Sequence, residues 1–155
     1  MEKILIELRR RMVSPSRKAL IVIVDDHEDR IWGMRYILEA WPNVECRFIL
    51  HRSMGMPDIP EETDILLLDY DFDDDWPPRA ITGGQIVREL KTSKFKGAIV
   101  GTTAREEEWF VPYAPWRFRH KHLLMSDWCD SGAATEFVDL ISVLLVLSAK
   151  NAPSP

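Results

Sequence analysis

Ile65-Leu66-Leu67-Leu68-Asp69-Tyr70-Asp71-Phe72-Asp73-Asp74-Asp75 is the stretch that decides the fold. Four aliphatic residues lead into five aspartates packed within seven positions. A short apolar run bounded by polar residues reads as a buried strand. A second run, Ala19-Leu20-Ile21-Val22-Ile23-Val24, also ends in acid, at Asp25-Asp26. Carboxylates at the ends of two buried strands meet only if the strands are neighbours in one sheet. Brought together they repel, and like charges that close do not all stay ionised without a partner. A hard divalent cation is the usual remedy, and Mg²⁺ is held by one or two carboxylates plus phosphate oxygens.

Outward from these two strands, hydrophobic spacing orders the rest of the 155 residues into one domain's worth of elements. Ile4, Leu5, Leu8 and Met12 fall on one face of a helix over 2–12, which Ser14-Pro15-Ser16 interrupts. A helix over 28–40 turns Ile31, Met34, Leu38 and Trp41 inward, and Pro42-Asn43 ends it. Val44, Cys46, Phe48 and Leu50 alternate as a strand near a sheet edge. Thr82-Gly83-Gly84-Gln85 has the form of a capping box opening a helix that buries Ile86, Val87 and Leu90. Ala98–Thr102 and 116–121 read as the fourth and fifth strands, with only a short helix between them at 105–115 because Pro112 and Pro115 intervene. The last helix, 132–149, places Phe137, Leu140, Ile141, Leu144 and Leu145 at core spacing. Val143, Val146 and Leu147 lie outside that face, which predicts cover by the N-terminal helix or by a second subunit, a homodimer through the last helix.

This alternation of strands and helices predicts an α/β fold, a five-stranded doubly wound parallel sheet with an extra N-terminal helix. The expected division is a helical extension over 1–17, the domain over 18–150 and a disordered tail at 151–155. In such sheets sites form at the carboxyl ends of the strands. That rule gathers Asp25, Asp26, Asp69, Thr102, Thr103 and Lys121 at one rim.

Composition narrows the function. A formal net charge of -5 argues against nucleic acid as a main partner, although Lys3, Arg9, Arg10, Arg11, Arg17 and Lys18 cluster early. Cys46 and Cys129 make neither a disulfide framework nor a metal motif, and both are expected as reduced thiols in a cytoplasmic protein. No signal peptide pattern opens the chain, and the longest apolar stretch, 140–149, is too short to span a bilayer.

Four of these signals, in order and each at a strand end, make the chain resemble the receiver (CheY-like) domain of two-component response regulators over about residues 18–149. Val24-Asp25-Asp26 resembles the family's acidic pair, and Leu68-Asp69 its phosphoacceptor. Thr102-Thr103-Ala104 resembles its hydroxyl-then-small step, and Lys121 its lysine. The resemblance implies phosphoryl transfer from a phosphohistidine to Asp69, a carboxylate nucleophile. It implies Mg²⁺ held by Asp25, Asp26 and Asp69, with a backbone carbonyl at Asp71. Thr103, or alternatively Thr102, and Lys121 would bind the phosphoryl oxygens. Phe118 takes the place of the switch aromatic, which swings inward as the hydroxyl moves. The implied partners are a histidine kinase or phosphotransfer protein upstream and a regulatory protein downstream, with no nucleic acid and no membrane. Catalysis would amount at most to self-phosphorylation and self-dephosphorylation. The sequence departs from the family's pattern at Asp73, where a proline is usual. It departs again at Gly83 or Gly84, which close a longer loop, and at His122, which follows Lys121 in place of proline.

Other readings stay open. Asp25-Asp26 also suits the start of a helix as a cap. Asp73, Asp74 and Asp75 suit a solvated loop. The same fold also serves as a phosphorylation-independent interaction module. Asp69-Tyr70-Asp71 has the D-x-D form of haloacid-dehalogenase phosphatases, although here it follows the third strand and not the first. A Toprim-like nuclease would need a glutamate where Asp25 stands.

Overall fold

Both acid-tipped runs become inner strands of a single parallel sheet in the computed structural model, which describes residues 2–52, 55–69, 81–102, 114, 116–118, 127–128 and 132–150. Strand β1 spans Ala19–Asp25 and β3 spans Ile65–Asp69, and every residue of both is buried. A strand apolar on both faces is stable only where helices cover both, which is the environment of a parallel sheet. Strands β2 (Val44–Leu50), β4 (Ala98–Thr102) and β5 (Trp116–Phe118) complete the order β2-β1-β3-β4-β5, with each neighbouring pair parallel. The edge position expected for β2 is observed, and its residues are half-buried or exposed.

Successive side chains of a strand point to opposite faces, so each strand feeds two cores. Ile21, Ile23, Ile65, Leu67, Val100 and Phe118 enter the larger one. Helices α1 (Glu2–Arg9), α2 (Trp32–Glu39) and α4 (Ala133–Lys150) cover it. Leu20, Val22, Val24, Leu66, Leu68 and Ile99 enter the other, beneath Ile86, Val87 and Leu90 of α3 (Gly83–Thr92). The capping box opens α3 as its sequence predicts. Thr82 Oγ1 accepts the Gln85 N–H at 3.2 Å, and the Thr82 N–H donates to Gln85 Oε1 at 2.7 Å.

Two helices differ from the spacing-based expectation. The segment over 28–40 begins as a 3-10 turn, Glu28–Ile31, before α2 proper. Its N-cap residue is His27, which makes no side-chain cap, and the tighter turn is the common way an uncapped helix starts. Helix α1 stops at Arg9, three residues early. The N–H groups of Arg10, Arg11 and Met12 close a final turn on the carbonyls of Glu7 and Leu8 before Pro15.

The extra apolar surface of α4 is divided. Leu8 and Met12 bury into the main core, Arg11 grips Asp139 through two hydrogen bonds of 3.0 and 2.7 Å, and Ser142 Oγ donates to the Arg11 carbonyl at 3.1 Å. Val143, Val146 and Leu147 remain exposed at 49, 39 and 40%. No described helix is long and apolar enough to cross a membrane. The expected helix at 105–115, strand residues 119–121 and tail at 151–155 lie outside the described residues, apart from Ala114.

Asp64, just ahead of β3, is a buried tie that hydrophobic patterning does not reveal. Its carboxylate accepts from the Leu20 N–H at 2.9 Å, from Ser148 Oγ at 3.1 Å and from the Arg17 guanidinium through both of its oxygens. One acid thus joins the entry to β1, the start of β3 and the end of α4. Asp64→Ala strands the buried Leu20 N–H and removes a charged hydrogen-bond set. A loss of about 2–3 kcal/mol is expected, read as a lower urea midpoint with unchanged slope.

Candidate functional site

The β1–β3 register ends at Val24↔Leu68, so Asp25 and Asp69 emerge side by side at the carboxyl rim, with Asp26 one residue further. Asp25, Asp26 and Asp69 are 0, 6 and 1% exposed, and each offers a carboxylate oxygen within 4.8 Å of the others. Three acids in so small a buried volume match the donor set of a hard cation: all oxygen, negatively charged and convergent. Their placement follows from ordinary forces. Apolar strands hide their backbone in the sheet, and the acids sit where the strands end.

Backbone N–H groups hold Asp25, and neighbouring side chains contact Asp26. Asp25 Oδ1 accepts the His27 N–H at 2.9 Å, and the Asp25 carbonyl accepts the His51 N–H at 2.9 Å. The Asp26 carbonyl accepts from Arg52 Nε at 3.2 Å, and His27 Nε2 lies 3.4 Å from Asp26 Oδ2. Asp25 bends the chain locally with its carboxylate, and the N-cap position belongs to His27, so the acidic pair does not act as the helix cap.

Asp69 pairs with Thr102 across β3–β4, and Thr102 pairs with Phe118 across β4–β5. Thr102 is fully buried, and its Oγ1 has no hydrogen-bond partner among the described residues. Phe118 is fully buried, with ring centroids 5.2 Å from Trp128 and 5.0 Å from Phe137. The sheet therefore brings Asp25, Asp26, Asp69 and Thr102 to one rim, with Phe118 beside Thr102. Asp71, Thr103 and Lys121 lie outside the described residues, as do Asp73, Asp74 and Asp75.

Sequence spacing passes over His51, which is an ordinary loop residue by composition. The structure buries it to 4% beside Asp25, and burial lowers its pKa. Its only sequence signal is its position directly after a strand neighbouring β1. Cys46 is a free thiol in β2, and burial pushes its pKa up to about 12. With the neutral thiol favoured in the fold, the unfolded chain loses its proton first. Stability therefore declines as pH rises above the ordinary thiol value of 9.0 towards about 12. In a Cys129→Ser background, Cys46 is expected to resist iodoacetamide at about pH 8 until urea is added. Rapid native labelling would contradict this placement.

No family model matches the chain, and no curated protein sequence matches it. Solved structures do. The signal receiver domain of the response regulator NarL from Mycobacterium tuberculosis superposes with a TM-score of 0.54 at 16% identity, covering 88% of this chain and 99% of that one. The response regulator RcsB from Salmonella typhimurium gives 0.51 at 18% identity, covering 90% of this chain and 64% of RcsB. A fusion carrying a trimeric coiled coil of yeast Spc42 gives 0.58 at 15% identity, over 92% of this chain and 84% of that one. At these identities the likeness concerns the fold. This chain folds as a five-stranded, all-parallel, flavodoxin-like α/β sheet of the kind found in response-regulator receiver domains.

Proposed function

We propose that the chain is a receiver-type phosphoacceptor that takes a phosphoryl group on Asp69 and signals through protein contacts. The observation that carries this reading is the buried trio Asp25, Asp26 and Asp69 at the ends of adjacent strands. A carboxylate oxygen of Asp69 attacks phosphorus. The new O–P bond forms as the bond to the donor's leaving atom breaks, and the leaving histidine nitrogen or acyl oxygen keeps the electron pair. Asp25 and Asp26, with Asp69 and the Asp71 carbonyl, would hold Mg²⁺, which when bound supplies charge neutralisation at the phosphoryl oxygens. Thr103 or Thr102 would donate to one of those oxygens, and Lys121 would offset the charge of another. Phosphoryl transfer depends mainly on such positioning and electrostatics. The donor is a histidine kinase or phosphotransfer protein, the receiver of the signal is a regulatory protein, and the setting is the cytoplasm.

Phe118 favours one second reading. It already sits packed against Trp128 and Phe137, in the inward place the resemblance assigns to a switched aromatic. An aromatic already turned inward without phosphate suits an interaction module that works without it.

Intact mass after incubation with Mg²⁺ and acetyl phosphate tests the proposal. Wild type is expected to gain one phosphate, stable in acid and labile in base, and Asp69→Asn none. An unmodified wild type that still binds Mg²⁺ would leave the interaction module. Accumulation of inorganic phosphate over many turnovers would instead indicate a hydrolase.

A further inference from the structure

Strand β2 carries a cation to the carboxylate rim. The β1–β2 register ends at Asp25↔Leu50, and beyond it the His51 N–H still reaches the Asp25 carbonyl at 2.9 Å. The pairing thus runs on past the strand ends and sets Arg52 beside Asp26. Arg52 Nε donates to the Asp26 carbonyl at 3.2 Å, which ties one corner of the guanidinium to the backbone of the rim. Arg52 is itself exposed, so the tied group borders solvent.

A guanidinium is a planar fork with five N–H donors, and a bond at Nε leaves those of the two Nη atoms available. Arg11, Arg17, Arg35 and Arg47 are each held by a carboxylate of this chain. Arg52 differs. Its anchor is a carbonyl, and among the described residues it makes no ion pair and no second hydrogen bond. The neighbouring His27 lies 3.4 Å from the Asp26 carboxylate and carries a charge only when protonated.

The charge of the rim identifies what this fork takes. Asp25, Asp26 and Asp69 put three carboxylates in one buried spot, and a divalent cation balances only two of their charges. A phosphodonor brings more negative charge to a site that stays acidic, so its approach is opposed. A cation fixed at the rim offsets that repulsion, and an arginine fork binds phosphate oxygens through two parallel N–H···O bonds.

We infer that Arg52 is a donor-binding residue of the rim, whose Nη groups bind phosphoryl oxygens of the incoming phosphodonor and bring its phosphorus up to Asp69. The inference rests on the phosphoacceptor reading of Asp69 and adds to it the residue that draws in an anionic donor. Arg52 makes and breaks no covalent bond. It orients the donor while the O–P bond forms at Asp69.

Phosphorylation of the full chain by acetyl phosphate at saturating Mg²⁺, followed by intact mass, tests it. Arg52→Gln is expected to lower the second-order rate constant about 10-fold. Arg52→Lys keeps the charge without the fork and is expected to lower it only about 3-fold. The wild-type rate constant should fall with added NaCl more steeply than that of Arg52→Gln, because salt screens a charge the variant lacks. Mg²⁺ affinity, read from tryptophan fluorescence, and the melting temperature should not fall in Arg52→Gln. A variant phosphorylated as fast as wild type, or with the same salt dependence, overturns the inference and leaves the phosphoacceptor reading standing. A variant that binds Mg²⁺ more weakly or melts lower also overturns it, because Arg52 would then act by holding Asp26 in place. A wild type that takes no phosphoryl group overturns both.

Discussion

Asp25→Asn is expected to raise the melting temperature of the metal-free protein and to abolish its stabilisation by Mg²⁺. The carboxylates of Asp25, Asp26 and Asp69 lie within 4.8 Å of one another in a buried rim. At an effective dielectric of about 20, two unit charges that close repel by about 3–4 kcal/mol. Removing one charge relieves part of two such repulsions. Hydrogen bonds made by the charged form, such as that from the His27 N–H to Asp25, offset some of this gain. A net increase of about 1–3 kcal/mol follows, or roughly 3–8 °C in a chain of this size. With the trio as the cation site, Mg²⁺ would bind only the folded wild type and stabilise it by mass action. The variant lacks a ligand and loses that response. Thermal melts of both proteins with and without Mg²⁺ make the test. A variant that melts no higher than wild type without metal, yet keeps the full Mg²⁺ shift, would show that the trio is not the cation site.

The second large effect is expected at Phe137. Its ring lies 5.0 Å from Phe118 and 5.6 Å from Trp128, and all three side chains are fully buried. Aromatic pairs at these distances and tilted angles contribute beyond the area they bury. Gly33 of α2 completes the packing. A Cβ there would fall 2.5 Å from the Trp128 ring, so glycine lets the helix backbone approach the indole directly. Phe137→Ala empties the centre of this cluster and is expected to cost about 3–5 kcal/mol. The melting temperature should fall roughly 8–16 °C. Phe137→Leu should recover more than half of that loss, because most of the volume returns. An alanine variant that loses less than about 1.5 kcal/mol would mean that α4 does not anchor the sheet through this ring. Phe118 sits in the same cluster, so the experiment also reports how firmly the aromatic beside Thr102 is held.

Local sequence was sufficient for features governed by spacing of a few residues. The all-apolar runs at 19–24 and 65–68 required strands covered on both faces, and both are inner strands. The alternation at 44–50 required an edge strand. Thr82 and Gln85, three apart, required a capped helix start. The convergence of Asp25 with Asp69 was legible for the same reason: strand ends in a parallel sheet lie on one rim. The unclaimed apolar face of α4 was equally visible, as residues outside the core spacing.

Tertiary structure alone decided what depends on groups distant in the chain. Asp64 is one acid among many in sequence, and only folding brings Arg17, Leu20 and Ser148 to its carboxylate. His51 has no pattern of its own and is buried because β2 ends beside Asp25. The contact of Gly33 with Trp128 joins residues on two elements far apart in the chain, and no periodicity encodes it. Periodicity encodes which face of an element is apolar. The partner met by each buried polar group, and the gap each ring fills, follow from how the elements pack, because close-packed interiors are set by shape as well as by hydrophobicity.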